Sequence, residues 1–522
     1  MNPFRAEDKY IVALGLNCMK FPEVTIDVHP SFLYFIYPFS FEVRSFEERI
    51  NCIENHQFPR QKFKTWKPQK LVTDDWLVHV ADYLNPDKES QQTPTAQFWE
   101  LNNALDSTLG FQDVEWQLIT PQGPIQFGFG EKPGQGRRSA QLALFKVGVG
   151  FLSLRVQPLS PDSKDWFNFL HYFRFMRGQR RTELQAQKVK WNPQLKKKEL
   201  DIFFPEVAGG NVVYTGTLTI GLLIETLLEA GETYHIEPWW EEIFVCGQLI
   251  PFAVIFAQGL TEKTIPLMLY NLQNFFHEGQ GKYPSAQDLD RACQPWLPYI
   301  ERMWWIFTLE GGVFLSANAP DEKFFRETLP NHIRDLYFLL FRLVLHQRFT
   351  LMMLSHWVAQ RWVMGANHRD RIYIFEEIRD LLLLFTARGY FSQVVQREHP
   401  HRYYCKWQEV FQLEQLYAEV GDEVRDLHDY VQTQQNQRLQ RTIEILGVAI
   451  GAGGIAASSI SGYIEQPLPL EPPFLAAVHP GIKALLVSII IGSFAGFAAW
   501  VWTGIFGGLF SRLSPSNKFR RR

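Results

Sequence analysis

The chain has 522 residues, with 52 Lys and Arg against 55 Asp and Glu, and 46% of its residues are hydrophobic. That length exceeds one ordinary core and implies two or three domains. A net charge of −3 leaves no electrostatic footprint for nucleic acid, while 43 Phe and 16 Trp imply a large buried core. Five cysteines (Cys18, Cys52, Cys246, Cys293, Cys405) are scattered and never paired as CxxC. Such usage argues against a disulfide framework or a zinc ribbon and fits a reducing compartment. Acidic residues precede the first short apolar run, so no secretory signal is readable and residues 1 to about 440 are expected in the cytoplasm.

The first third has strand character. Tyr10–Cys18 and Val24–Val28 are short β-branched runs bounded by turn residues. Trp116–Gly130 reads as two strands around Pro-Gln-Gly, and Ala140–Ser160 as one long strand or a hairpin bent at Gly148 and Gly150. Ser163–Gly178 is expected to be an amphipathic helix with Ser163 as its N-cap. The basic stretch Arg177–Leu200 reads as a solvated loop or exposed helix, and TGTLTIGLLIETLLEAG as a helix. Leu249–Gln258 is expected to be a buried strand.

From about Phe324 the periodicity turns helical. Phe324–Val363 is apolar all round but interrupted by Arg342, His346, Gln347 and Arg348, which predicts a helix buried among other elements rather than a span. Arg371–Gln396 reads as a second such helix. A last helix, Tyr403–Arg441, places Leu413, Tyr417, Val420, Val424, Leu427 and Val431 at alternating spacings of four and three, a heptad seam.

Two apolar runs follow, about 445–464 and 484–510, each long enough to cross a bilayer. The proline-rich link EQPLPLEPPFLAAVHPGIK closes them into a hairpin. Arg438 and Arg441 precede the first run, and Arg512, Lys518 and Arg520 to Arg522 follow the second, while the link carries Lys483 beside Glu465 and Glu471. The positive-inside rule then places both termini in the cytoplasm of a multi-pass inner-membrane protein. Gly447 with Gly451, and Gly492 with Gly496, stand at GxxxG spacing, which lets helix backbones approach closely in lipid and favours a homo-oligomer over a simple tether. Gly447, Gly451, Gly454, Ser458 and Ser461 share one helical face, continued by Glu465. Two readings of that face stay open: it lines a narrow pore whose mouth carries a ring of carboxylates, or it packs on the second span.

The order of a mixed N-terminal part, a long stalk helix, two spans with a short link and a basic tail (KFRRR) resembles the CorA superfamily of divalent-cation channels. The resemblance covers mainly Tyr403–Arg522 and is one of topology. It implies a homo-oligomer around a pore lined by the first span, with a cation such as Mg2+ as cargo. Those channels end their first span in Tyr-Gly-Met-Asn, whereas this chain reads Ser461-Gly462-Tyr463-Ile464-Glu465-Gln466. Its selectivity residues therefore do not carry over. FKVGVGFLSLRV and YFLLFRLVLHQRFTLMMLS are similar to uncharacterised bacterial membrane proteins.

The expected architecture is an α+β cytoplasmic domain (1–320), a helical region ending in the stalk (321–442), a transmembrane hairpin (443–511) and a basic tail (512–522). Other patterns carry less. His399, His401 and Cys405 form an incomplete ligand set broken by Pro400, read as an interhelical turn. His368-Arg369-Asp370 lacks the rest of a kinase loop, and Gly128–Arg138 matches neither a dinucleotide fingerprint nor a P-loop. Arg177–Lys198 would meet anionic headgroups, a nucleotide or only water. Neither HExxH nor GxSxG occurs, so no enzyme, catalytic residue or bound cofactor is expected. Beside a gated cation channel stand two alternatives. One is a non-conducting membrane-anchored sensor or scaffold whose cytoplasmic domain binds a small molecule or protein; the other is a defence effector that permeabilises the membrane.

Overall fold

The computed structural model describes residues 24–55, 64–85, 94–103, 116–131, 138–176, 185–188, 216–218, 220–228, 238–277, 284–285, 288, 295–362, 368–461, 482, 485–498 and 501. The chain divides into two compact units, Met1–Glu423 and Val424–Arg522. The expected strand Tyr10–Cys18, most of the basic stretch after Arg177 and all of the link between the apolar runs but Ile482 lie outside the described residues.

The strands of the first unit come in chain order as β1 (Thr25–Ile26), β2 (Phe32–Ser40), β3 (Trp66–Pro68), β4 (Ala96–Leu101) and β5 (Trp116–Thr120). Next are β6 (Gly123–Phe129), β7 (Ala140–Phe145), β8 (Val149–Pro158), β9 (Gln185–Lys188) and β10 (Gly216–Leu218). The last five are β11 (Glu241–Glu242), β12 (Ile250–Gln258), β13 (Trp296–Pro298), β14 (Met303–Phe307) and β15 (Gly312–Ala317). They join one sheet along the path β10-β9-β5-β6-β8-β2-β12-β15-β14-β13. β7 flanks the first part of β8 and carries β4 and β3 outside it. β12 and β15 are parallel, whereas β2 and β14 meet them antiparallel. The central strands β2, β7, β8, β12 and β15 are buried on both faces, so they read as apolar runs without alternation.

Gly148, at φ +90, turns the chain between β7 and β8, which settles Ala140–Ser160 as a hairpin. The run TGTLTIGLLIETLLEAG opens with β10 before it becomes helical, and the basic stretch contributes β9 rather than only loop or helix. Both short strands extend the sheet edge beside β5.

Helices cover the two faces. α1 (Phe46–Asn55) and α2 (Val78–Leu84) lie in the N-terminal part; α3 (Ser163–Tyr172), α4 (Ile220–Leu228) and α5 (Ile265–Gln273) share a core with Leu33, Phe35, Leu154 and Ile255. Phe35 meets Phe173, just past α3, at 4.6 Å. The N-cap of α3 is Asp162, one residue before the expected Ser163, and its carboxylate accepts from Lys164 N–H at 3.0 Å.

The opposite face carries α6 (Phe338–Trp357), reached through π turns at Phe324–Thr328 and Ile333–Tyr337 that flank Pro330, a residue with no N–H to donate. Here Phe338 stacks on Tyr34 at 3.9 Å, Phe341 on Phe252 at 5.3 Å and His346 on Phe145 at 3.9 Å. α7 is His368–Arg388 and α8 is Glu398–Val410. Trp407 of α8 lies 4.5 Å from Phe341, and a Cβ on Gly312 would come within 2.6 Å of its ring, so only glycine admits the indole there.

Two helix boundaries differ from the sequence reading. Arg371–Gln396 is not one helix: α7 stops at Arg388, with Gly389 N–H closing on Phe385 O. Tyr403–Arg441 is broken between α8 and α9 (Leu413–Ser461) by Gln412 at φ +51. His399, His401 and Cys405 consequently sit within α8, not in an interhelical turn.

Candidate functional site

The second unit contains the residues singled out for a membrane role. α9 continues without interruption through Gly447, Gly451, Gly453 and Gly454 to Ser461. Each glycine in a helix interior costs about 1 kcal/mol relative to alanine, so four in eight residues call for a packing reason. Of the heptad seam, Leu413, Val420, Val424, Leu427 and Val431 are buried, and Tyr417 stacks on Tyr390 at 4.9 Å. Beyond Val431 that pattern ends, and Leu439, Ile443, Leu446, Val448, Ile450 and Ile455 are exposed.

The packing reason is α10 (Leu485–Ala498). A Cβ on Gly492 would lie 2.9 Å from Ala449 O, and one on Gly496 3.1 Å from Ala449 Cβ. One on Gly453 would lie 3.1 Å from Ser488 O. As α9 advances from 449 to 453, its contacts on α10 retreat from 496 to 488, so the two helices are antiparallel. Gly492 and Gly496 therefore sit in the helix–helix contact, with backbones close enough that no side chain intervenes.

Gly447, Gly451 and Gly454 sit elsewhere. A Cβ on any of them meets no atom within 4 Å, and all three are exposed. The contacting residues of α9 are instead Ala449 and Gly453, a second small pair at spacing four. Sequence reasoning passed over that pair, although its spacing is legible in GVAIGAGGIA. Ser458 and Ser461 lie on the backbone of α9, with side chains outside the described residues, as is all of Glu465. On α10, Leu485, Ile489, Ile490, Phe494 and Phe497 are exposed, an apolar surface unusual for a water-facing helix.

Among the described residues one helix, Phe324–Gln360, is long and apolar enough to cross a membrane, and 83% of its apolar window is buried inside the chain. Its burial is that of a core helix, as the interrupting polar residues predicted. α10 as described is shorter.

The remaining patterns disperse. His399 Nδ1 shares a 2.9 Å hydrogen bond with Tyr337 Oη, and His401 Nε2 lies 3.6 Å from Cys405 Sγ. Burial holds His399 below the usual histidine range and raises the Cys405 thiol. Among the described residues no three His, Cys, Asp or Glu side chains converge as a ligand set. Cys405 is a free thiol.

No family model matches this chain, and no curated protein matches it.

Proposed function

We propose that the chain is a homo-oligomeric integral membrane protein of CorA-like architecture that passes cations along a path lined by α9. The spans are 445–464 and 484–510, entered from a cytoplasmic stalk. Gly447, Gly451 and Gly454, continued by Ser458, Ser461 and Glu465, face the axis between copies. One observation carries this reading: α10 takes up the Ala449–Gly453 side of α9 and leaves the Gly447–Gly451–Gly454 side open. Packing on the second span, the competing reading of that side, does not account for these three glycines. Copies meeting along a glycine face approach closely enough for a narrow path, and a ring of Glu465 carboxylates would raise the local cation concentration.

The deciding experiment is Mg2+ and K+ flux into proteoliposomes carrying the purified full chain. Flux is expected for the native protein and should drop at least tenfold for Gly451→Leu and for Glu465→Gln. A monomer in mild detergent, or an oligomer through which neither ion moves, overturns the pore. A second reading, the non-conducting sensor or scaffold, draws on the size of the folded unit Met1–Glu423, far more chain than a pore requires. An intact oligomer without flux favours it.

A further inference from the structure

The layer between α6 and the sheet contains one buried guanidinium, that of Arg342, with no carboxylate against it among the described residues. Arg342, from the middle of α6, is only 3% exposed, and its Nε and Nη1 have no hydrogen-bond partner among the described residues. Its guanidinium carbon lies 5.0 Å from the Phe338 ring centroid and 5.3 Å from that of Phe98. Burial draws it down to about 10, which still leaves it protonated at neutral pH.

Below it on the sheet, Arg155 of β8 is also buried. Its Nη1 donates to Tyr34 Oη at 3.4 Å and stands 3.9 Å from Glu131 Oε1, a carboxylate that Arg334 also engages. Its Nε is unpartnered. Tyr34, stacked on Phe338, ties this arginine to the Arg342 neighbourhood. Register fills the space between. Ser153 precedes Arg155 by two on the same strand face, and Gln141 of β7 lies opposite Ser153. Phe98 of β4 lies beside Ala143, two residues along from Gln141 on that face. Ser153 Oγ and Gln141 Oε1 are buried and unpartnered as well. Arg342 therefore lies between Phe98 and Phe338 on the side of the sheet that carries Gln141 Oε1, Ser153 Oγ and Arg155 Nε, three buried atoms without partners among the described residues.

A buried guanidinium without a counter-charge costs several kcal/mol, more than the roughly 0.5–2 kcal/mol that a cation–π contact returns. Water would satisfy the hydrogen bonds but not the charge. The unused groups are mostly donors, namely the Arg342 and Arg155 N–H groups and the Ser153 hydroxyl, and a flipped Gln141 amide adds another.

We propose that Arg342, Arg155 Nε and the Ser153 hydroxyl together bind one small anion, of halide or formate size, between α6 and the sheet. This site is independent of the pore. Its occupancy holds α6 to β7 and β8 through charge as well as through the aromatic stack.

The test is thermal unfolding of the full chain in detergent at fixed ionic strength, with gluconate replaced stepwise by chloride or by formate. Above the anion's Kd, each tenfold rise should shift the unfolding equilibrium tenfold, raising Tm by about 2 °C for a domain of this size. Arg342→Met, close in volume and uncharged, should abolish the response, and Arg342→Lys should weaken it. A response to chloride alone identifies a halide site, and one to formate as well identifies a carboxylate-sized site. Where Arg342→Met does not fold, bromide in crystals of the native protein supplies the second reading, with an anomalous peak expected between Arg342 and Arg155. Equal Tm in gluconate, chloride and formate overturns the proposal, as does a chloride response that survives in Arg342→Met.

Discussion

His346 shows how a polar residue inside an apolar helix is accommodated. Its ring lies flat on Phe145, its Nε2 shares a 2.9 Å hydrogen bond with Tyr83 Oη, and its Nδ1 stands 3.3 Å from Thr350 Oγ1. Burial holds the folded pKa down to about 3. The unfolded chain binds the proton near pH 6.5, so the unfolded state takes up protons first as pH falls. The stability linked to this ring is thus complete above about pH 6.5 and is lost progressively down to about pH 3, by roughly 1.4 kcal/mol per pH unit at the steepest. His332 and His399, both lowered by burial, act in the same direction. The paired variant Tyr83→Phe/His346→Leu removes the titration without orphaning the tyrosine hydroxyl. It should lose stability at pH 7 yet show a shallower decline between pH 6 and 4 in urea unfolding. A decline as steep as the native one would take the acid sensitivity away from His346. The neighbouring Gln347 is settled in a similar way, donating to Gly389 O at 3.1 Å and to Tyr404 Oη at 2.8 Å. Sequence pattern marked these residues only as interruptions of an apolar run. The partners of Gln347 come from 42 and 57 residues away and Tyr83 is 263 residues from His346, beyond the reach of local periodicity.

At the scale of elements, the two small-residue faces of α9 make opposite predictions. Leucine at Gly492 must push against the backbone of Ala449, whereas leucine at Gly451 enters open space. A disulfide between cysteines placed at 449 and 496, with the native cysteines replaced, reports the α9–α10 contact, because the Cβ positions there are adjacent. That bridge should form in the Gly451→Leu background and fail in Gly492→Leu, while size-exclusion chromatography should show Gly451→Leu as the variant that loses the oligomer. The reverse pattern would assign the open face to no contact at all. What could be read in advance follows the range of the interactions. The β7–β8 hairpin and the β5–β6 pair are neighbours in sequence, and apolar runs bounded by turn residues mark them. The joining of β2 to β12 and of β12 to β15 crosses long stretches of chain and leaves no local signal. The break at Gln412 was hidden too, because a residue with a side chain took the left-handed conformation where glycine would have announced it. At the candidate site, the four-residue spacings were legible, but which pair faces α10 depends on the helix's rotation, which spacing alone leaves free.

For the molecule as a whole, the division at Glu423–Val424 separates two kinds of surface. The unit Met1–Glu423 encloses its aromatic residues, with Trp66, Trp99, Trp166, Trp305 and Trp407 among the largest fully buried side chains. The unit Val424–Arg522 leaves leucine, isoleucine and phenylalanine open on both α9 and α10. Water disfavours such exposure by about 25 cal/mol per Å² of apolar surface, whereas a bilayer removes that cost. A chain ending after Arg441 retains every buried position of the heptad seam, through Val431, and discards the exposed apolar residues from Ile443 onward. It should fractionate with soluble proteins, remain folded by circular dichroism, and keep the Arg342-dependent chloride response. The full chain should stay with membranes through high salt and alkaline carbonate, since peripheral attachment by a basic tail would be released by salt. Full-length protein that leaves the membrane under those washes would reduce α9 and α10 to a protein-binding hairpin and remove the pore with it. Retention of the full chain, with loss of membrane attachment on truncation, would place the anchor in the α9–α10 pair.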